Sequence, residues 1–337
     1  MLCAGLGTRL RPFTEHVPKP LLPVMGVPVF AYAVEQARAA GVSQWVANVH
    51  HLPQKMEDGL RAWFSSLSSE DRTSDFSLSI SDESRKLLGS AGGIIQARTQ
   101  LGEGPFFCLN ADVLSEADLK RLAKTHQELR RKFDVKMTLL LGRAPRAGMY
   151  RRLRTDARME RLSALDERRA QKGEWFFTGT SVIETSALDP FKPGEEADFV
   201  ASLLRPWLQE GKVGVALQSV ADPVWLDVGD PTVWSEAHFE LMDRMETRGL
   251  PQVWEAMLRR KCRRLAPSIW VDHRLVLPTS LSAHSPCFRG EWGEGAMACP
   301  ETLGAFSVSY GSDSAPSKTV SLLDQQASIS GLSGLKS

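Results

Sequence analysis

Between Leu2 and Val24 the chain reads Leu-Cys-Ala-Gly-Leu-Gly-Thr-Arg-Leu-Arg-Pro-Phe-Thr-Glu-His-Val-Pro-Lys-Pro-Leu-Leu-Pro-Val. This is a strand end, a glycine turn, two fixed cations and a proline-stiffened loop. Gly5 and Gly7 permit backbone conformations closed to other residues and let amides approach phosphate oxygens closely. Arg9 and Lys19 can neutralise a triphosphate and the charge that develops at its α-phosphorus. Pro18 and Pro20 hold Lys19 in place with little residual chain entropy. Other glycine loops fail on detail: a dinucleotide fingerprint needs a third glycine where Leu10 stands, and the Gly-Lys-Ser/Thr of a P-loop is absent.

The elements that position these residues follow from pattern. Phe30–Ala40 reads as a helix closed by Gly41. Trp45–Val49 is strand-like, Pro53 opens a helix to about Leu67, and Phe76–Ile80 alternates with period two. A second glycine-rich turn, Gly89-Ser-Ala-Gly-Gly93, leads into Ile94. Phe106–Leu109 is a buried-type strand ending at Asn110-Ala-Asp112, after which Ser115 is expected to cap a helix with Asp118 completing a capping box. Strands at Val135–Leu141 and Trp175–Ile183 flank an Arg-rich excursion. A helix over Asp198–Gln209, strands at Val213–Leu217 and Val224–Asp227, and a long helix from Thr232 complete the pattern. Strands alternating with helices predict an α/β fold with a doubly wound, mainly parallel, Rossmann-like sheet.

We expect a catalytic domain over 1–247 and a basic helical linker over 248–265, read as a solvated helix. From Ile269 apolar residues recur at steps of six (Ile269, Leu275, Leu281, Cys287), which suggests a degraded left-handed β-helix over 266–312. The Ser/Gly/Gln-rich tail, 313–337, is expected to be disordered. A net charge of +1 over 337 residues, with 42% hydrophobic and 24% charged residues, marks an ordinary soluble chain. It gives no sign of a nucleic-acid or membrane surface. No signal peptide is visible. The five cysteines have neither zinc nor redox spacing, so a reduced, cytoplasmic protein is expected.

The Gly5–Val24 segment resembles the signature of the sugar-1-phosphate nucleotidylyltransferases, G-x-G-T-R-L-x-P-x-T-x-x-x-P-K-P-L-L-P-V. The resemblance covers roughly residues 2–245. Leu88–Ile94 is similar to the family's base-recognition loop, and Leu109–Val113 to its Asn-Gly-Asp segment. Trp175–Ile183 is similar to the sugar-binding strand, and Trp225–Pro231 to the second metal-binding segment. It implies a Mg²⁺-dependent reaction of a nucleoside triphosphate with a sugar 1-phosphate. Asp112 and Asp227 would hold the metal as hard oxygen ligands. Arg9 and Lys19 would act on the phosphates. Ala4, Gly5, Gly7, Thr8, Gly89 and Gly92 would bind the nucleotide. Gly179, Thr180 and Arg168 would bind the sugar phosphate, Arg168 standing where the family's lysine is not evident. In-line attack by an oxygen that is already anionic needs alignment and charge neutralisation but no general base.

Adjacent His50 and His51 would face opposite sides of a strand, an ordinary surface-and-core pair. Trp225 would support Asp227. GTP with mannose or heptose 1-phosphate leads; UTP with an N-acetylated sugar 1-phosphate, a non-catalytic regulatory homologue and a phosphocholine-type cytidylyltransferase stay open. Similar enzymes often assemble through their C-terminal regions, so a homo-oligomer is among the expected arrangements. The family carries five or six apolar residues before its signature where this chain has Met1 and Leu2. The native protein is therefore expected to begin several residues earlier, which intact mass from the native source would check.

Overall fold

A computed structural model describes residues 1–70, 76–266, 269–272, 287–291, 306–310 and 318–321. The chain divides into two compact units, Met1–Leu21 with Phe30–Asp227, and Leu22–Val29 with Val228–Ser337.

In the first unit, α1 (Val29–Ala39) ends where Gly41 takes φ 96° and Val42 N–H reaches back to Ala37 O. It leads to β1 (Gln44–Val49), α2 (Pro53–Glu70), β2 (Ser77–Asp82), α3 (Gly89–Gln96) and β3 (Pro105–Leu109). There follow β4 (Val113–Ser115), α4 (Leu119–Phe133), β5 (Met137–Arg143), β6 (Arg151–Thr155), β7 (Leu162–Arg169), β8 (Trp175–Glu184), β9 (Val213–Leu217) and β10 (Trp225–Asp227).

The strand order β9-β5-β8-β3 forms one sheet, with β9 parallel to β5 and β8 antiparallel to both its neighbours. β1 and β2 pair in parallel as a second. Leu2 bridges the two, parallel to Asn48 on one side and Asn110 on the other. Its N–H donates to Leu109 O at 2.9 Å, and Ala111 N–H donates to its carbonyl at 3.1 Å. The place before the signature is thus held by Met1 and Leu2, beyond which Gln44–Val46 and Pro105–Phe107 flank a cleft of about 510 Å³. β5, with six of its seven residues buried, has the continuous apolar run that an interior strand covered on both faces requires. The fold is the Rossmann-like α/β class expected, with a mixed central sheet.

Three local expectations are corrected. The helix after β4 is capped by Asp118, whose carboxylate accepts from Arg121 N–H, while Ser115 pairs in β4. Its backbone is committed to a ladder and cannot begin a helix. The Arg-rich excursion is an antiparallel hairpin, β6 with β7, because Leu153 and Leu162 bury into the core between arginines. Residues 199–204 form a π-helical turn before a short α-helix over Arg205–Gln209.

In the second unit, Pro23–Val24 pairs with Val27–Pro28 across Met25–Gly26. Both central residues have positive φ (51° and 73°), the two-residue hairpin turn that matches strand twist. Asp230 caps α5 (Pro231–Glu246), its carboxylate accepting from Val233 N–H at 3.0 Å. Trp234 Nε1 donates to Pro23 O at 2.7 Å and Met25 N–H to His238 Nδ1 at 3.2 Å. α6 (Gln252–Lys261) runs into β11 (Cys262–Ala266), which pairs with β12 (Ile269–Asp272). β13 (Cys287–Glu291), β14 (Phe306–Tyr310) and β15 (Lys318–Ser321) complete a five-stranded sheet. β12–β13 and β13–β14 are parallel, with Ile269 opposite Cys287 and Phe288 opposite Phe306. Both pairings are therefore displaced by 18 residues (287 − 269 and 306 − 288), three steps of six. The remainder of 266–337, including Leu275 and Leu281, lies outside the described residues. Among the described residues no helix is long and apolar enough to cross a membrane.

Full burial pushes His238 down from 6.5 to about 3, and an accepting Nδ1 requires the neutral ring. Between those values the unfolded chain binds the additional proton, so stability falls as pH falls. Urea unfolding should show the midpoint dropping from pH 6.5 to 4, and His238→Gln should flatten that slope.

Candidate active site

The signature loop is fastened from below by buried polar groups. Cys3 N–H donates to Asn48 Oδ1 at 2.7 Å, and Asn48 Nδ2 donates to Glu83 Oε1 at 2.7 Å. Glu83 Oε2 accepts from Leu88 N–H at 3.1 Å. Burial raises the Glu83 carboxyl above its ordinary range, against the bonds donated by Asn48 and Leu88. One amide and one carboxylate thus connect the start of the signature with the start of α3.

Above this anchor Gly7 takes φ 63° at the head of a 3-10 turn, Thr8–Leu10. A Cβ there would stand 2.8 Å from Thr14 Cγ2 and 3.2 Å from Lys19 Cβ, so the turn is open only to glycine. Thr14 Oγ1 donates back to Gly7 O at 2.8 Å. His51 Nε2 donates to Thr14 O at 2.5 Å, and His50 Nδ1 donates to Glu83 O at 2.7 Å. Both imidazoles therefore hold backbone around the loop, a tighter role than the surface-and-core pair expected. Ala4 is buried, while Gly5, Thr8 and Arg9 are exposed above it.

The charged centre lies beneath. β4 and β10 pair antiparallel with Asp227 opposite Val113, which sets Asp112 and Asp227 at the same end of a two-strand ladder. Lys19, in a short turn between its two prolines, places Nζ 2.6 Å from Asp112 Oδ2 and 3.5 Å from Asp227 Oδ1. Lys19 is only 9% exposed, against 32% and 30% for the aspartates. Burial lifts the Asp227 carboxyl above its usual range and Asp112 adds to that, while Lys19 and Arg9 pull it down.

The Gly179–Thr180 segment is brought beside this centre by a bulge. β8 keeps register with β3 but slips against β5 between Phe177 and Ser181. Gly179 sits at φ 88°, and a Cβ there would fall 2.9 Å from Asn110 Nδ2. Bulges re-aim side chains beside active sites. Asn110 N–H donates to Gly179 O at 3.2 Å. Trp225 Nε1 donates to Thr178 O at 2.9 Å, and its ring lies edge-on to Phe176 and Tyr150. Trp225 therefore ties the strand bearing Asp227 to the strand bearing Gly179.

Two groups of expected residues have close partners within the chain. Arg168 gives its guanidinium fork to Glu174 at 2.7 and 2.6 Å, and this pairing holds the Glu174 carboxyl down at about 2. Gly89–Gly93 is not a turn but the first part of α3. The amides of Ala91 and Gly92 donate to Ala197 O at 3.0 and 3.1 Å. Added Cβ atoms at Gly89 and Gly92 would meet Ala197 O at 2.8 Å and Glu195 O at 2.6 Å. The close approach these glycines allow is to the chain's own backbone.

No group of three or more His, Cys, Asp or Glu side chains gathers as a metal cage among the described residues. The donor set at Asp112 and Asp227 nevertheless suits Mg²⁺: two carboxylates converge on one cation, and the ion ordinarily completes its octahedron with phosphate and water oxygens. Sequence reasoning missed Asn48, Glu83 and Thr14. Gly93 offers a direct check, since a Cβ there would lie 2.5 Å from Glu83 Oε1 and closer still to Asn48 Nδ2. Gly93→Ala should destabilise the protein by about 1–3 kcal/mol, read as a lower denaturation midpoint; an unchanged midpoint would mean that this buried link does not form.

Residues 1–244 match the Nucleotidyl transferase family. Among the relatives, UTP–glucose-1-phosphate uridylyltransferase of Synechocystis sp. is 28% identical over 75% of this chain and 66% of its own length. Mannose-1-phosphate guanylyltransferase of Mycobacterium tuberculosis is 28% identical over 68% of this chain and 60% of its own length. N-acetylmuramate alpha-1-phosphate uridylyltransferase of Neisseria meningitidis serogroup B is 34% identical over 38% of this chain and 52% of its own. The chain thus spans about half to two-thirds of the length of these relatives. Among solved structures, HddC from Yersinia pseudotuberculosis complexed with GMP-PN superposes with a TM-score of 0.54 at 18% identity, over 71% of this chain and 96% of that one. A putative glucose-1-phosphate thymidylyltransferase from Bacillus anthracis in complex with a sucrose gives 0.58 at 17%, over 71% and 92%. At such identities the likeness is one of fold. With the match running through the signature loop, both aspartates and the bulged strand, the chain belongs to the nucleotidyl transferase family.

Proposed function

We propose that the chain transfers a nucleotidyl group from a nucleoside triphosphate to a sugar 1-phosphate, releasing pyrophosphate, with Mg²⁺ held by Asp112 and Asp227. The observation that carries this reading is the convergence of Lys19, Asp112 and Asp227 beneath the exposed Gly5–Arg9 loop. Loop amides around Gly5, Gly7 and Thr8 bind the triphosphate, and Arg9 and Lys19 neutralise it. A phosphate oxygen of the sugar 1-phosphate forms a bond to the α-phosphorus. The bond from that phosphorus to the bridging oxygen breaks, and pyrophosphate leaves with the electron pair. No proton is transferred, so the site's work is alignment and charge. Mg²⁺, when bound, supplies Lewis-acid stabilisation of the phosphoryl oxygens.

Gly179 and Thr180, set beside Asn110 by the bulge, are assigned to the sugar phosphate, and so is Arg168, whose exposed guanidinium pairs with Glu174. For the nucleotide we keep Gly89 and Gly92 as the wall of the base site, acting through their small size. For the substrates we favour GTP with mannose or heptose 1-phosphate, supported by relatives that are mannose-1-phosphate guanylyltransferases. The 18-residue displacement of the C-terminal strands is the spacing of a hexapeptide β-helix coil and also supports that choice. Uridylyltransferases among the relatives make UTP the alternative.

Pyrophosphate release across five nucleoside triphosphates and a panel of sugar 1-phosphates tests the reading. One productive pair is expected, lost on chelation of divalent metal and restored by Mg²⁺. Asp112→Asn should lower kcat by roughly 10²–10³-fold, as for removal of a preorganised electrostatic group. Silence across the matrix from a folded protein that binds nucleotide would favour a regulatory homologue.

A further inference from the structure

We infer that Lys19 is the resident counter-ion of the Asp112–Asp227 pair, and that a divalent cation gains the pair only when a triphosphate draws Lys19 away. This rests on the reading that the two aspartates hold the metal. Lys19 Nζ occupies the space on which both carboxylates converge and is the most enclosed of the three groups. A dication held by both oxygens must take that space, and an ammonium left beside it would face like charge at short range in a poorly solvated site.

The lysine has a short route out. Its backbone is stiffened between Pro18 and Pro20, so relocation falls to the flexible four-carbon stem. That stem starts against the phosphate loop, since a Cβ on Gly7 would be 3.2 Å from Lys19 Cβ. With a triphosphate on the loop, the ammonium exchanges carboxylate oxygens for phosphate oxygens and stays paired. Without one, the described residues offer it Asp112 and Asp227 as its ion-pair partners. Lys19 thereby sets an order in which metal and nucleotide arrive together, and it discriminates against the bare ion.

The test is Mn²⁺ binding followed by the paramagnetic resonance of the free ion, with and without a non-hydrolysable GTP analogue. Wild type is compared with Lys19→Met and with Lys19→Met/Asp112→Asn, all confirmed folded by thermal unfolding. Lys19→Met should bind Mn²⁺ alone roughly tenfold or more tightly than wild type, as expected when a competing charge a few ångströms away is removed. The analogue should tighten Mn²⁺ binding more in wild type than in the variant. Equal affinity of wild type and Lys19→Met for bare Mn²⁺ would overturn the counter-ion role and leave the metal assignment standing. Undiminished binding in the double variant would show that the ion sits elsewhere, sinking the metal assignment and the inference together. Should Lys19→Met fail to fold, the ammonium resonances of ¹⁵N-labelled wild type serve instead. The Lys19 signal should move with Mg²⁺ and the analogue together; an equal shift with Mg²⁺ alone would refute the inference.

Discussion

Three charges from residues 19, 112 and 227 have to meet in one small volume, and much of the first unit can be read as the means of making them do so. Two carboxylates so close repel each other, and each loses hydration on approach. The short ladder between β4 and β10 opposes that repulsion with backbone hydrogen bonds, and the lysine ammonium compensates part of the charge. Remove the ladder and nothing in the backbone would hold Asp227 near Asp112. Trp225, two residues along the same strand, fixes the ladder to β8 through one indole hydrogen bond and a three-ring aromatic cluster.

The phosphate loop depends on a different kind of constraint. Its glycines cannot anchor themselves, so the anchoring falls to side chains of later segments: Asn48, His50, His51 and Glu83. Each satisfies a backbone group or a partner that would otherwise be buried without a hydrogen bond, at a cost comparable with many core packing changes. The loop is thereby exposed on its upper side and rigid on its lower side. Such a surface presents amides to an anion without reorganising.

The parts of this arrangement that were legible in the sequence were those written as strings. The Gly5–Val24 signature, the α/β alternation and the two Asp-bearing strand ends all depend on local residue order. What was not legible depends on pairs far apart. Asn48 lies within β1 and Glu83 just past the end of β2, and their value appears only when the pairing of those strands brings them together beside Cys3. The glycines from Gly89 to Gly93 look like a loop because small residues permit close approach of many kinds, and their packing against Ala197, about a hundred residues later, could not be seen in their own order. The pairing of Arg168 with Glu174 was illegible for a similar reason, since the two meet only across the turn that follows β7.

The constant displacement between the parallel C-terminal strands bears on how this region can change in length. Because both parallel pairings are offset by 18 residues, an added segment of that length would meet its neighbour in the same register as β12 meets β13 and β13 meets β14. An insertion of another size would put apolar residues opposite the wrong partners unless it bulged outward as a loop. Among the described parallel strands, a change of 18 residues would therefore keep which side of each strand faces which neighbour, whereas a change by an odd number would turn those faces over.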